Sequence, residues 1–352
     1  MAAVTARSAL ERVRAAHHWA LLPSGSATAV GDHVRRLAAT GARGLVVPQI
    51  FAPPWATLGA AAMAGDLDLA SGIALGFVRS PLETAMAALD LDRLSGGRFT
   101  LGIGSSTRIA NEDRFGVEYD RPVSRLRELT VLLHKLVTAE EQHEVGRFEG
   151  EFWRVDLTGV RLPRPTRPSL PIYLAPLRET MTEMAAEVAD GIFGHPVWSV
   201  EWITGPIRDA IDRGLAKAGR SRDQFRVAAW LRVVVTDDRE QGIRDAKVGI
   251  PFYAGLRQYE SYFDAIGVGD DARVLMDLTE AGAPPAELTA AVSDALVEAL
   301  VPVGTPEEVA ERIAPVLDVA DELLLAPPNG LPGDRTRAYE AAIAEHLLPG
   351  AS

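Results

Sequence analysis

The chain contains no cysteine, which excludes disulfide frameworks, thiolate nucleophiles and cysteine-ligated metals. Lysine is nearly absent too, confined to Lys135, Lys217 and Lys247, so arginine carries almost all the positive charge. That charge is in the minority: 36 basic against 48 acidic residues leave a net charge of -12. Such a surface does not favour nucleic acid or anionic membranes, and any anionic ligand must be held by a local cluster of amides and arginines. No run of about 18 apolar residues occurs, so no helix is expected to span a membrane. The N-terminal stretch MAAVTARSALERVRAAHHWALL breaks its apolar positions with Arg7, Glu11, Arg12 and Arg14. It lacks the apolar core of a signal peptide, and residues 1–18 read as a short extension or surface helix. An intracellular, cytoplasmic enzyme fits these absences.

What is present is ample material for a core: 352 residues, 47% of them hydrophobic. Short apolar runs alternate with helical patterns from end to end. The strands fall at residues 19–23, 45–47, 67–75, 99–103, 172–175, 191–194, 225–235 and 322–325. Eight such strands separated by helices suit a closed parallel barrel, a (β/α)8 TIM barrel of the α/β class, with an open Rossmann-like sheet as the rival. One barrel domain is expected over residues 19–349, with insertions near 140–170 and 237–301. The first contains RFEGEFWRV, which reads as a strand pair. The second is the largest, helical, and lies between strands seven and eight. Its IPFYAGLRQYESYF segment places aromatics either at a substrate mouth or in a helical core.

The organising stretch is LDRLSGGRFTLGIGSS, residues 91–106. Leu91 and Leu94 continue a helical face, Gly96 and Gly97 stop it, and Phe99 to Ile103 alternates like a strand. The strand runs into Gly102, Gly104, Ser105 and Ser106, where missing side chains admit a flat ligand and small hydroxyls can bond to it. GIGSST also half-matches a dinucleotide fingerprint, with Thr107 in place of the third glycine.

Ligands bind a parallel barrel at the loops after its strands. Those loops carry Gln49 and Phe51 after strand two, Phe77 and Arg79 after three, and Gly104 to Thr107 after four. Pro176, Arg178 and Thr180 follow strand five, and His195 and Trp198 follow strand six. Free amides at the helix start near Arg178, its guanidinium and the Thr180 hydroxyl form a candidate phosphate cradle. No two histidines stand at ligand spacing, so no metal site is expected. His17 and His18 precede the first strand and are expected at the surface.

The string LDRLSGGRFTLGIGSS, with SPLETAMAALDLDRL before it, PIYLAP and AAEVADG in the middle and VGTPEEVAERI at 303–313, resembles the luciferase-like superfamily. These are flavin and deazaflavin oxidoreductases built on a TIM barrel, and the likeness runs from about Trp19 to the C-terminus. ADGIFGHP and IPFYAG are most similar to a branch that uses coenzyme F-420.

The resemblance implies hydride transfer between C5 of the deazaflavin and a small organic substrate, by a homodimer. An FMN-dependent monooxygenase is the alternative, and a non-catalytic cofactor-binding protein of the same fold is a third reading. It also implies a non-proline cis peptide at Gly72–Ile73 behind the ring, and ring or side-chain contacts from Gly104, Ser105, Ser106 and Thr107. The phosphate loop becomes Ala175, Pro176, Leu177, Arg178 and Thr180.

Two departures stand out. The loop VVPQIFAPPW lacks the histidine or acid that several relatives carry after strand two, and Ser106 and Thr107 stand where some deazaflavin enzymes have a glutamate. His195 is then the remaining candidate for proton transfer, on the expectation that its imidazole titrates near neutrality. The substrate pocket is assigned to Gln49, Phe51, Trp55 and Phe77 on the early loops, and to Trp198, Phe252 and Tyr253 on the later ones.

Overall fold

The alternation becomes eight strands: β1 His17–Leu21, β2 Gly44–Val47, β3 Asp68–Ser71, β4 Phe99–Gly104, β5 Ile172–Leu174, β6 Gly191–Phe193, β7 Arg226–Arg232 and β8 Glu322–Ala326. They are seen in a computed structural model that describes residues 2–50, 52–142 and 146–350. The strand order is β3-β2-β1-β8-β7-β6-β5-β4, and a further β3–β4 pairing returns the order to its start. The result is a closed eight-stranded parallel barrel with helices between the strands. The open-sheet rival is thereby excluded.

The chain divides into two compact units, residues 19–193 with 209–227, and residues 1–18, 194–208 and 228–352. In the first unit β2, β3, β4, β5 and β6 follow one another in parallel register, Val46 opposite Ala70 and Leu101 opposite Ile172. β3 does not run straight through, as the sequence suggests. It stops at Ser71, the Gly72–Ile73 peptide is cis, and pairing resumes when Ala74 and Leu75 lie opposite Ile103 and Gly104.

Just before this break, the buried Ser71 hydroxyl donates to the Gly102 carbonyl at 2.8 Å and accepts from the Gly102 amide at 3.0 Å. A side chain thus satisfies two buried main-chain groups. The helix Pro81–Leu94 begins on Ser80, whose side chain accepts from the Glu83 amide, and ends at Gly96 and Gly97 with φ of 68° and 87°. Asp92 on that helix is fully buried and takes Arg167 at 2.9 Å. The LDRLSGGR half of the signature is therefore scaffold.

In the second unit β7 pairs with β8, Ala228 opposite Glu322 through Arg232 opposite Ala326. The segment between them is helical, as expected, from Arg239–Gly249 to Asp294–Leu300, and closes with Val303–Gly304 paired to Val234–Val235. The expected strand pair near 147–155 is present as Arg147–Glu149 against Arg154–Asp156. Among the described residues no helix is long and apolar enough to cross a membrane.

One expectation fails here. His18 is not at the surface: it belongs to β1, is fully buried, and its Nε2 lies 2.7 Å from the Val13 carbonyl at the end of the helix Ala2–Ala15. Burial lowers its pKa from 6.5 to about 4, against the carbonyl's opposing pull. The unfolded chain therefore binds a proton that the folded chain refuses, so this stability is complete above pH 6.5 and is lost as the pH falls towards 4. Between about pH 6.5 and 4.5, stability measured by urea unfolding is expected to drop by about 2 kcal/mol from this group. His18→Phe should flatten that slope; an unchanged slope would show that the imidazole is not the cause.

Candidate active site

In the first unit, three positions assigned to cofactor binding come together. A Cβ placed on Gly104 would stand 2.4 Å from the Ile73 side chain and 3.5 Å from Ala175 Cβ. The ends of β3, β4 and β5 thus meet at Ile73, Gly104 and Ala175, and the missing side chain at Gly104 is what lets Ile73 lie against the β4 backbone. Gly72 is equally constrained, since its Cβ would fall 2.0 Å from Val46. Gln49 closes the break from the β2 side. Its amide donates to the Ile73 carbonyl at 3.2 Å, and its side-chain oxygen accepts from the Leu75 amide at 3.2 Å and from Arg79 at 3.0 Å. Gln49 therefore positions the 72–75 segment.

The loop after β4 is held from outside. Ser106 sits in the left-handed region at φ 58°. The fully buried Asn111 donates from Nδ2 to the Ser105 and Thr107 carbonyls, both at 2.8 Å. Its residue lies in a π-turn, Ala110–Arg114, a local widening of the helix often found beside sites. The Tyr119 hydroxyl donates to the Ser106 carbonyl at 3.1 Å. Neither Asn111 nor Tyr119 is singled out by the sequence, where residues 108–120 read only as one of the loops that bear on substrate identity.

After β5, Pro176 is buried, Leu177 is half-buried, and Arg178 and Thr180 are exposed. Arg178 precedes the helix Glu179–Val188 without capping it, and Thr182 Oγ1 bonds back to the Arg178 carbonyl at 3.1 Å. The first amides of that ten-residue helix have no intrahelical acceptor. The aromatic assignments separate. Phe77 is 3% exposed, packed beneath Arg125 and beside Tyr119, and Trp198 is 1% exposed. Neither offers surface to a ligand. Trp55 is half-buried under Arg79, and Phe51 lies outside the described residues.

The second unit holds His195 within an aromatic cluster. Its ring lies 5.0 Å from Tyr253 and 5.4 Å from Tyr259, and Phe252, 57% exposed, stands edge-on to Tyr253. Nδ1 is 3.4 Å from the Val197 amide and Nε2 is 3.3 Å from the Tyr259 hydroxyl. Accepting at Nδ1 leaves the proton on Nε2, directed at Tyr259. The expectation of a near-neutral pKa is corrected: burial, then the charge of Arg232, lowers it to about 3. The imidazole stays neutral across the physiological range and its two bonds fix the loop after β6, which makes it a poor proton donor.

The chain belongs to the luciferase-like monooxygenase family, whose model matches residues 7–319. It is 34% identical over 209 residues to an uncharacterized protein of Mycobacterium tuberculosis, which covers 58% of this chain and 62% of that one. The aligned part is thus less than two thirds of that relative's length. An F-420-dependent glucose-6-phosphate dehydrogenase of Nakamurella multipartita is 28% identical over 272 residues, 76% of this chain and 73% of that one. Among solved structures, the coenzyme F-420-dependent tetrahydromethanopterin reductase of Methanopyrus kandleri superposes with a TM-score of 0.77 at 21% identity, covering 95% of this chain and 98% of that one.

Proposed function

We propose that the protein is a coenzyme F-420-dependent oxidoreductase acting on a small organic substrate. The observation that supports this most is the meeting of Ile73, Gly104 and Ala175 in one surface, with no side chain at Gly104. That surface lies at the C-terminal ends of parallel strands, where barrel enzymes bind their ligands. It suits the face of a flat heterocycle. A bound deazaflavin supplies the hydride chemistry at C5. The chain's own residues do the rest. Ile73 backs the ring, and Ser105, Ser106 and Thr107 offer amides and hydroxyls along its edge. The open helix start after Arg178, with that guanidinium and the Thr180 hydroxyl, receives the phosphate.

Arg178→Ala is expected to weaken F-420 binding by about 1–3 kcal/mol. An unchanged dissociation constant would remove the residue from the phosphate site. Turnover is tested by following deazaflavin absorbance while alcohols, aldehydes and unsaturated carbonyl compounds are offered. Tight binding with no bleaching or recovery across the panel would favour a non-catalytic carrier. Exposed Met63, Met86 and Leu94 on the neighbouring helices Trp55–Ala64 and Pro81–Leu94 support a homodimer, which light scattering tests directly.

A further inference from the structure

Arg232 ends β7 inside the otherwise apolar run WLRVVV. It is half-buried, and among the described residues no carboxylate pairs with it. One arm of the guanidinium donates to the Pro327 carbonyl at 2.7 Å, and the group lies 5.3 Å from the centre of the Trp230 ring. Among the described residues the other nitrogens have no hydrogen-bond acceptor. A half-buried cation with no paired carboxylate is a ready counter-charge for an incoming anion, because the lowered local dielectric strengthens that attraction relative to open water. Burial lowers the Arg232 pKa only to about 10, so the charge persists at neutral pH.

The surroundings repeat the pattern of unmatched donors. Two residues earlier on the same face of β7, the buried Trp230 Nε1 has no hydrogen-bond partner. The Tyr253 hydroxyl makes no hydrogen bond among the described residues, and burial raises its pKa, which keeps it protonated as a donor. Arg232 and Tyr253 line one cavity of about 30 Å³ with Asn329, Ile250, Val301 and Pro328. That is room for about two waters, or for the two oxygens of a carboxylate. Gly249 keeps the cavity's rim tight, since its Cβ would stand 2.8 Å from the Asn329 amide.

We propose that this cavity binds the carboxylate of an organic-acid ligand, with Arg232 as the counter-charge and Tyr253 as a second donor. A monoanion balances the one cation that lines the cavity, whereas a phosphate dianion leaves excess charge in an apolar wall of Ile250, Val301 and Pro328. The inference rests on the proposed oxidoreductase reading for one point alone, that the acid is the substrate. His195, fixed nearby and uncharged, does not compete with the anion for Arg232.

The test is calorimetric titration of the full chain with butyrate, butyramide and inorganic phosphate. Butyrate should bind at least about tenfold more tightly than butyramide or phosphate. Arg232→Gln should lower butyrate affinity about tenfold or more, Arg232→Lys should recover part of it, and Tyr253→Phe should weaken it about threefold. The tyrosine variant keeps the test decisive if Arg232→Gln does not fold. Equal binding of acid and amide, stronger binding of phosphate, or butyrate affinity unaffected by the variants would overturn the proposal. So would loss of F-420 affinity in Arg232→Gln with butyrate binding unchanged, which would assign the anion to the cofactor's own tail. If neither F-420 nor FMN binds while butyrate binding still depends on Arg232, the carboxylate site stands and the oxidoreductase reading falls.

Discussion

Gly102→Ala is expected to be the most destabilising single-methyl change in the chain, lowering stability by about 3 kcal/mol or more. The added Cβ would stand 1.9 Å from the Ser71 carbonyl oxygen and 3.0 Å from the Phe193 ring. A ring can rotate by a few tenths of an ångström, but the Ser71 carbonyl belongs to a barrel strand and cannot retreat without carrying β3 with it. The displacement would also break both hydrogen bonds between the Ser71 side chain and Gly102. Ser71→Ala, which removes those bonds without a clash, should cost less, about 1–3 kcal/mol. Urea unfolding of both variants measures the order. A Gly102→Ala protein as stable as Ser71→Ala would mean that the strands at this point are looser than described.

Asn111→Leu should uncouple the loop after β4 from its support. The substitution keeps the branched outline of the side chain, with some added bulk, and removes the two donors that hold the Ser105 and Thr107 carbonyls. Leaving those two acceptors unmatched should cost about 2–4 kcal/mol of stability. It should also weaken F-420 by about tenfold or more, because loosened ligand-facing groups must be ordered again on binding. The cofactor titration and a melting curve on the same sample separate the two effects. A stable variant with undiminished cofactor affinity would show that Ser105 to Thr107 take no part in the site.

How far the sequence foretold this arrangement depended on how local each cause is. All eight strands were legible, because a short apolar run bounded by Gly, Pro and polar residues is a local signal. The loop glycines were legible for the same reason, and the resemblance located the cis peptide at Gly72–Ile73 correctly. The supports were not legible. Asn111 lies among charged residues, and only the return of the chain over the β4 loop buries it. His18 reads as polar and exposed until the helix Ala2–Ala15 places the Val13 carbonyl beneath it. For His195 the residue type suggested a proton carrier, yet the removal of water, and after it the field of Arg232, decide its charge. The one signal in the sequence for that neighbour is an arginine inside an apolar strand.

The most direct measurement is a paired fluorescence titration of the purified protein with oxidised coenzyme F-420 and with FMN. Saturable binding of F-420 with a dissociation constant of roughly micromolar order, and FMN at least about tenfold weaker, is the expected result. Tighter binding of FMN, or saturation by neither, would contradict the assignment of the Ile73, Gly104 and Ala175 surface to a deazaflavin.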